Sequence, residues 1–328
     1  GPVDDPSRPG EYVVEQLLNR KDIRGKRHYL VRWHGLPAAE EDSWEPVEHF
    51  TNCPALLAEY EAVAAGVDAL ALAAGGGVAV LSLRFPPVMP WEVFRANGYL
   101  ESFPDQMGSV HTFAGDERDH AELVRRADDG DDRAPLLDAT DLVLCPAVCH
   151  PLYPTQRGIL PEGGRLAEIA GWCFRREPSP DPFRMQSFRQ HDWVYLGSAE
   201  GARAHRDRWL GIGAEVLTGL GLPVEEVAAN DPFFGRPGRM LAANQRAEEL
   251  KFELVTPAFA SGRPTAVASS NCHLDHFGRP FAITTAEGAV AHTACFGFGI
   301  DRITLALFDR HGTDPARWPS GVRAALAR

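Results

Sequence analysis

The sequence has no apolar run approaching twenty residues, so no segment of it reads as a membrane-spanning helix. Positive charge is in deficit, with 33 Lys and Arg set against 45 Asp and Glu for a net charge of -12. That argues against a non-specific nucleic-acid binder, which works through clustered cations. It does not exclude ATP, whose phosphates need only a few local arginines. Cysteine is sparse: six in 328 residues (53, 145, 149, 173, 272 and 295) is too thin for a disulfide framework and fits a reducing cytoplasm. No internal repeat recurs at a fixed period. No signal peptide precedes Gly1-Pro2, which reads as a protease scar outside the fold argument. What is present is 44% hydrophobic content, enough for a full core and room for two domains.

The composition shifts over residues 63–80, VAAGVDALALAAGGGVAV, where Asp68 is the only charge and Gly75–Gly77 form a run. Ala-rich then Gly-rich sequence reads as the tail of a helix entering a flexible joint. Before it, Tyr12-Val13-Val14 opens one strand, Tyr29–Trp33 alternates as a second, and Ser43-Trp44-Glu45-Pro46 ends a third. Gly25 falls in the turn between the first two, and CPALLAEYEAV closes the unit with helical spacing. Three curved strands and a C-terminal helix suit about fifty residues.

The run EYVVEQLLNRKDIRGKRHYLVRWHGLPAAEEDSWEPVEHF resembles a chromodomain over residues 10–62. The resemblance implies a small β-barrel plus helix and an aromatic cage for methylated lysine, whose cation sits over ring faces. Tyr12 and Trp33 match two cage positions, Leu36 stands at the third, and Trp44 matches a core tryptophan. With the cage incomplete, docking of a protein or peptide is the expected role, its partner unnamed.

Beyond the joint, residues 202–222 carry helical spacing, while GWCFRREP, SFRQHDWVYLG, LKFELVTPAF, PTAVASSN and VAHTACFGFG are short β-type runs. Their hairpin-like succession predicts an antiparallel sheet flanked by helices, an α+β domain, and argues against a Rossmann site despite the glycines of FGFGID. Attack on the α-phosphorus of ATP requires cations on the phosphates, an aromatic face for the base, and Mg²⁺. Arg175 or Arg184 with Arg302 supply the first, Phe188 the second, and Glu253 a metal ligand. Gly297 and Gly299 would let backbone approach the nucleotide. Three further residues, Cys149, Asp192 and Cys295, form a possible catalytic zinc set with an open fourth position. By spacing alone they are equally ordinary buried residues.

FRRE with its returning phenylalanine resembles the second motif of class II aminoacyl-tRNA synthetases, and GFGIDR the third. GYLESFPDQMGSVHTF, CHPLYPT, FRREPSPDPFRMQSFRQHDWV, NDPFFGRPGRM, ELKFEL, SSNCHLDHFG and HTACFGFGIDR narrow the resemblance to the amino acid:carrier-protein ligases, similar to archaeal-type seryl-tRNA synthetase cores, over residues 84–328. The resemblance implies an aminoacyl adenylate made from ATP, then transfer to the phosphopantetheine thiol of a carrier protein. It places Arg175 on the α-phosphate, Glu177 on the adenine amino group, Phe188 under adenine and Arg302 on the terminal phosphates. It also implies a Zn²⁺ that grips the substrate amino group through Cys149, residue 192 and Cys295. The sequence HPLYP that follows selects Cys149 over Cys145. The family has glutamate where this chain has Asp192, one methylene shorter, so the metal, the strand or the amino-acid pocket must adjust.

Ser270, Asn271 and Cys272 are candidate pocket residues, and His292 and Cys272 could touch substrate. His111, His150, His273, His276 and His292 are expected to pack, since a carboxylate nucleophile needs no general base. Asp231–Phe234 is expected to be structural, and residues 127–134 a solvated acidic loop. Nothing resembles the tRNA-gripping arm or anticodon domain of a synthetase, so tRNA is not an expected partner. A two-fold homodimer is expected by analogy with class II enzymes. Two alternatives stay open: capture of the adenylate by a small-molecule amine, hydroxyl or hydrazine, and a non-catalytic scaffold. Intact Arg175, Glu177, Phe188 and Arg302 argue against the scaffold.

Overall fold

A computed structural model of the chain describes residues 14–23, 26–33, 43–46, 54–78, 80–179, 181–229, 231, 250–258 and 263–327. At the N-terminus β1 (Val14–Ile23), β2 (Lys26–Trp33) and β3 (Ser43–Pro46) form an antiparallel three-stranded sheet in that order. Trp33 opposes Val14 and Leu30 opposes Trp44. Tyr12, Leu36 and the Trp33 side chain lie outside the described residues.

Helix α1 (Pro54–Ala73) follows. The expected joint at 63–80 is instead helical as far as Ala73, and Val63, Ala64, Val67 and Ala71 are buried in the main core. Gly75 is likewise a packing residue: a Cβ there would fall 2.0 Å from Cη2 of Trp193. Small residues allow α1 to approach the sheet closely, so the Ala/Gly composition reports packing rather than looseness.

The remaining elements, in chain order, begin with β4 (Leu81–Leu83), β5 (Val88–Pro90), α2 (Trp91–Ala96), α3 (Tyr99–Ser102), β6 (Ser109–Phe113), α4 (Glu117–Asp129) and β7 (Leu137–Leu144). Next come α5 (Leu152–Thr155), β8 (Gly158–Ile159), β9 (Arg165–Phe174), β10 (Ser187–Gly197), α6 (Ala199–Gly219), β11 (Glu225–Ala228) and β12 (Lys251–Ala258). The chain ends with β13 (Arg263–Leu274), β14 (Ile283–Thr284), β15 (His292–Gly299), α7 (Ile300–His311) and α8 (Ser320–Leu326). A seven-stranded sheet in the order β11-β12-β13-β15-β10-β9-β4 organises the domain. Its pairs are antiparallel as expected, except at the edge, where β4 runs parallel to β9. The acidic stretch at 127–134 is partly helical, since α4 runs to Asp129, and Arg125 pairs with Asp129 and Asp131 across the turn.

Alternation gives the sheet two different faces. The back face is covered by α1, α6 and α7, with Trp193, Trp209, Phe296, Phe298, Ile303 and Leu307 in one core. Helix α6 starts at Ser198, whose hydroxyl accepts from the Gly201 N–H, and buries Ala202, His205, Trp209, Gly213 and Leu217 at helical spacing. The front face packs Leu152, Tyr153, Phe277 and Phe281 around its centre. Among the described residues, no helix is long and apolar enough to cross a membrane.

Candidate active site

The front face is built from every second residue of its central strands. Phe188, Gln190 and Asp192 point forward from β10. Gly299, Gly297 and Cys295 oppose Gln190, Asp192 and Val194 from β15, and Ser269 and Asn271 of β13 lie opposite Gly297 and Cys295. On β12, Lys251 and Glu253 continue the row opposite Asn271 and Ser269. Cys149 enters from the turn between β7 and α5.

The fold thus brings Cys149, Asp192 and Cys295 together: all three are buried, and one donor atom from each lies within 4.8 Å of the others. A tetrahedral ion with bonds of about 2.0–2.3 Å accommodates donors at such separations. Gly297 makes room for the carboxylate, because a Cβ there would sit 2.6 Å from Asp192 Oδ1. That oxygen is buried without a hydrogen-bond partner. The electrostatics are unresolved in the same way. Hydrogen bonding to Cys295 and then burial push the Cys149 thiol well up, while the same hydrogen bond pulls Cys295 well down. Burial and the Cys295 charge together hold the Asp192 carboxyl far above the usual carboxylate range. Three crowded acids that cannot all ionise, with one oxygen orphaned, fit a divalent cation. The Tyr153 phenol, pushed up by burial and by both thiols, closes the cluster on one side.

Further along the face the charge reverses. Arg175 donates from Nε to the Pro146 carbonyl at 2.9 Å and lies 5.4 Å over the Phe188 ring. Arg302 donates to the carbonyls of Phe183 at 2.8 Å and Ala266 at 3.1 Å. Burial and then the Arg175 charge lower its basicity, and Arg184 adds to the effect. Arg184 stands 3.6 Å from Glu177. Glu177 and Glu253 act on Arg302 in the opposite sense without restoring its basicity, and the group would bind phosphate with a net electrostatic gain. Glu253, the expected Mg²⁺ ligand, lies 3.2 Å from the Lys251 ammonium, which also pairs with Asp231.

Residues 12–63 match the Chromo (CHRromatin Organisation MOdifier) domain family. Over 247 residues the chain is 44% identical to amino acid–[acyl-carrier-protein] ligase 1 of Bradyrhizobium diazoefficiens, covering 75% of this chain and 76% of that one. It is 46% identical to ligase 2 of the same organism, covering 74% of each. The chain belongs to the amino acid–[acyl-carrier-protein] ligase family. Its fold matches the Methanopyrus kandleri seryl-tRNA synthetase crystallised with Aquifex aeolicus tRNASec, with a TM-score of 0.69 at 21% identity. That match covers 98% of this chain and 65% of the synthetase, and at this identity it speaks to fold alone. The class II synthetase-like α+β architecture agrees with the sequence expectation.

The candidate pocket residues divide by strand parity. Asn271 lies beside the cluster, its Nδ2 3.6 Å from Cys295 Sγ. Ser270 and Cys272 face the other way: Ser270 donates to the Arg206 carbonyl of α6, and Cys272 packs against Ala202 and Ala294. His150 is wedged between Tyr99 and Phe277, and burial pushes it down to about 3, so it is neutral at pH 7. Sequence reading passed over Gln190, Lys251 and Ser269 as site residues and took His273 as packing. The available signal was period two: Gln190 lies midway between Phe188 and Asp192, and Lys251 two residues before Glu253.

Proposed function

We propose that residues 81–328 activate a free amino acid with ATP as an aminoacyl adenylate and transfer it to the phosphopantetheine thiol of a carrier protein. The observation that carries this reading is one sheet face shared by a buried three-donor cluster and a group of arginines whose like charges meet at Arg302. Phe188 and Asp192 are four strand residues apart, about 13 Å, a fitting reach for an amino acid joined to a nucleotide. A Zn²⁺ held by Cys149, Asp192 and Cys295 would supply a Lewis-acid seat for the substrate's α-amino group.

Arg175 holds the α-phosphate while the substrate carboxylate attacks phosphorus and the bond to pyrophosphate breaks. Arg302, with Arg184, takes the charge that develops on the departing pyrophosphate, and Glu253 would hold a Mg²⁺ that supplies further positive charge there. Phe188 supports the adenine ring from below, and Glu177 accepts from its amino group once Arg184 turns to the phosphates. In the second half-reaction the carrier thiol, losing its proton to solvent, attacks the acyl carbon and AMP leaves. The N-terminal module, residues 10–62, is read as a docking unit for a protein or peptide, and the catalytic domain as half of a two-fold dimer.

The test is amino-acid-dependent exchange of labelled pyrophosphate into ATP, run across proteinogenic and non-proteinogenic amino acids on the same sample assayed for metal. Exchange followed by thioester formation on a phosphopantetheinylated carrier protein is expected. Exchange without such transfer would point to a small-molecule acceptor, and no exchange with any amino acid would overturn the activity.

A further inference from the structure

Two side chains on the front face place nitrogens beside the same sulfur. Asn271 Nδ2 lies 3.6 Å from Cys295 Sγ, and His273 Nε2 lies 3.5 Å from it. Both come from β13, whose residue 271 sits opposite Cys295 in register. Each donor is fixed from behind. The Asn271 amide nitrogen also reaches Ser269 Oγ at 3.2 Å, and a metal-bound thiolate, which only accepts, requires that nitrogen rather than the oxygen toward the sulfur. His273 Nδ1 is 3.0 Å from the hydroxyl of Thr293, itself fully buried. A metal-bound thiolate only accepts, so the ring proton lies on Nε2, facing Cys295, and Nδ1 accepts from the Thr293 hydroxyl.

The charge of the donor set gives these contacts a purpose. Two thiolates and a carboxylate around a divalent ion leave a net charge of about -1, which weakens attraction for a neutral amine. Hydrogen bonds donated to a thiolate draw density off the sulfur, so less reaches the metal. Among the described residues Cys295 receives two such nitrogens, while Asp192 Oδ1 has no hydrogen-bond partner. We propose that Asn271 and His273, the latter set by Thr293, are positioning residues that lower the electron donation of Cys295 and keep the bound metal electrophilic toward the substrate amino group. The inference rests on the metal reading of the Cys149–Asp192–Cys295 cluster.

The experiment is reconstitution of the metal-free full chain with Co²⁺ alone, reading the thiolate-to-cobalt charge-transfer band and the Co²⁺ affinity. In His273→Phe and Asn271→Leu the band is expected to move to longer wavelength, with Co²⁺ affinity not weakened. KM for the amino acid should rise, while KM for ATP holds. His273→Gln, which retains a donor, should keep the band near its wild-type position. Thr293→Val, nearly isosteric, should shift it less but in the same direction. A band present in all variants and unmoved would overturn this inference and leave the metal reading standing. A wild-type protein that shows no such band would remove the metal reading, and this inference with it.

Discussion

The two faces of the central sheet carry similar numbers of charged groups and treat them in opposite ways. On the back, Arg189 donates to Asp301 from its backbone N–H and its guanidinium, reaches Glu61 at 2.6 Å, and lies 5.1 Å over Trp172. Tyr60 completes Asp301 with a hydrogen bond at 2.7 Å. Alongside, buried His191 bridges Asp68 at 2.8 Å and Glu168 at 3.0 Å, and Arg84 reaches Glu168 at 2.8 Å. On the front, two thiols crowd the Asp192 carboxylate with no cation paired to it among the described residues, and Arg302 feels the like charges of Arg175 and Arg184. Adjacent residues of one strand, His191 and Asp192, belong to the two regimes. Charges paired with opposite ones hold a sheet to its helices, whereas crowded like charges wait for a ligand.

The sharpest break of that contrast is Arg302→Ala. Loss of a cation that meets developing phosphate charge should cut pyrophosphate exchange by about 10²–10³-fold without lowering Tm. A collapse of Tm would make Arg302 a structural residue and erase the distinction. His191→Gln should do the reverse, costing about 3 kcal/mol in denaturant unfolding, because Glu168 loses a buried partner while half-exposed Asp68 turns to water. The pH dependence carries a sign. Burial depresses His191, but Asp68 and Glu168 outweigh it and raise its basicity. Its contribution is therefore complete below about pH 6.5 and fades as pH rises through the raised value. Burial raises Glu168, yet His191 and Arg84 hold it at about 2, so its share persists above the ordinary carboxyl range and fades toward pH 2. The stability gap between wild type and His191→Gln should thus be widest near pH 6 and narrow on the alkaline side, as denaturation midpoints across pH would show.

Gly297→Ala tests the front face more gently. The added methyl must displace Asp192 Oδ1, and metal affinity measured by competition with a chelator should fall about 10–100-fold, with little change in the far-UV spectrum. The smallest effect belongs to Ser198→Ala, which removes the cap of α6 on the back face. It should cost about 1 kcal/mol of stability and leave pyrophosphate exchange unchanged.

Much of the front face was legible in the sequence because its residues sit inside local motifs. Cys149, Asp192 and Cys295 could be named, and the structure gathers them, since each lies in a short stretch with its own pattern. Ser270 and Cys272 show where local reading stops. A strand's alternation says which residues share a face but not which face is covered, and that depends on α6, far away in sequence. Asp68 shows the same limit from the other side. It is the single acid of an Ala-rich run, and its meaning depends on His191, 123 residues later.

Helix α1 has a consequence for inheritance. It is about 30 Å long, begins eight residues after β3, and its second half supplies Val63, Val67 and Ala71 to the catalytic core while Tyr60 touches Asp301, the neighbour of Arg302. The two halves of this chain therefore meet at a splice instead of a tether. A recombination event or a protein engineer wishing to exchange the N-terminal module would have to cut ahead of Pro54 and carry the whole helix with the enzyme.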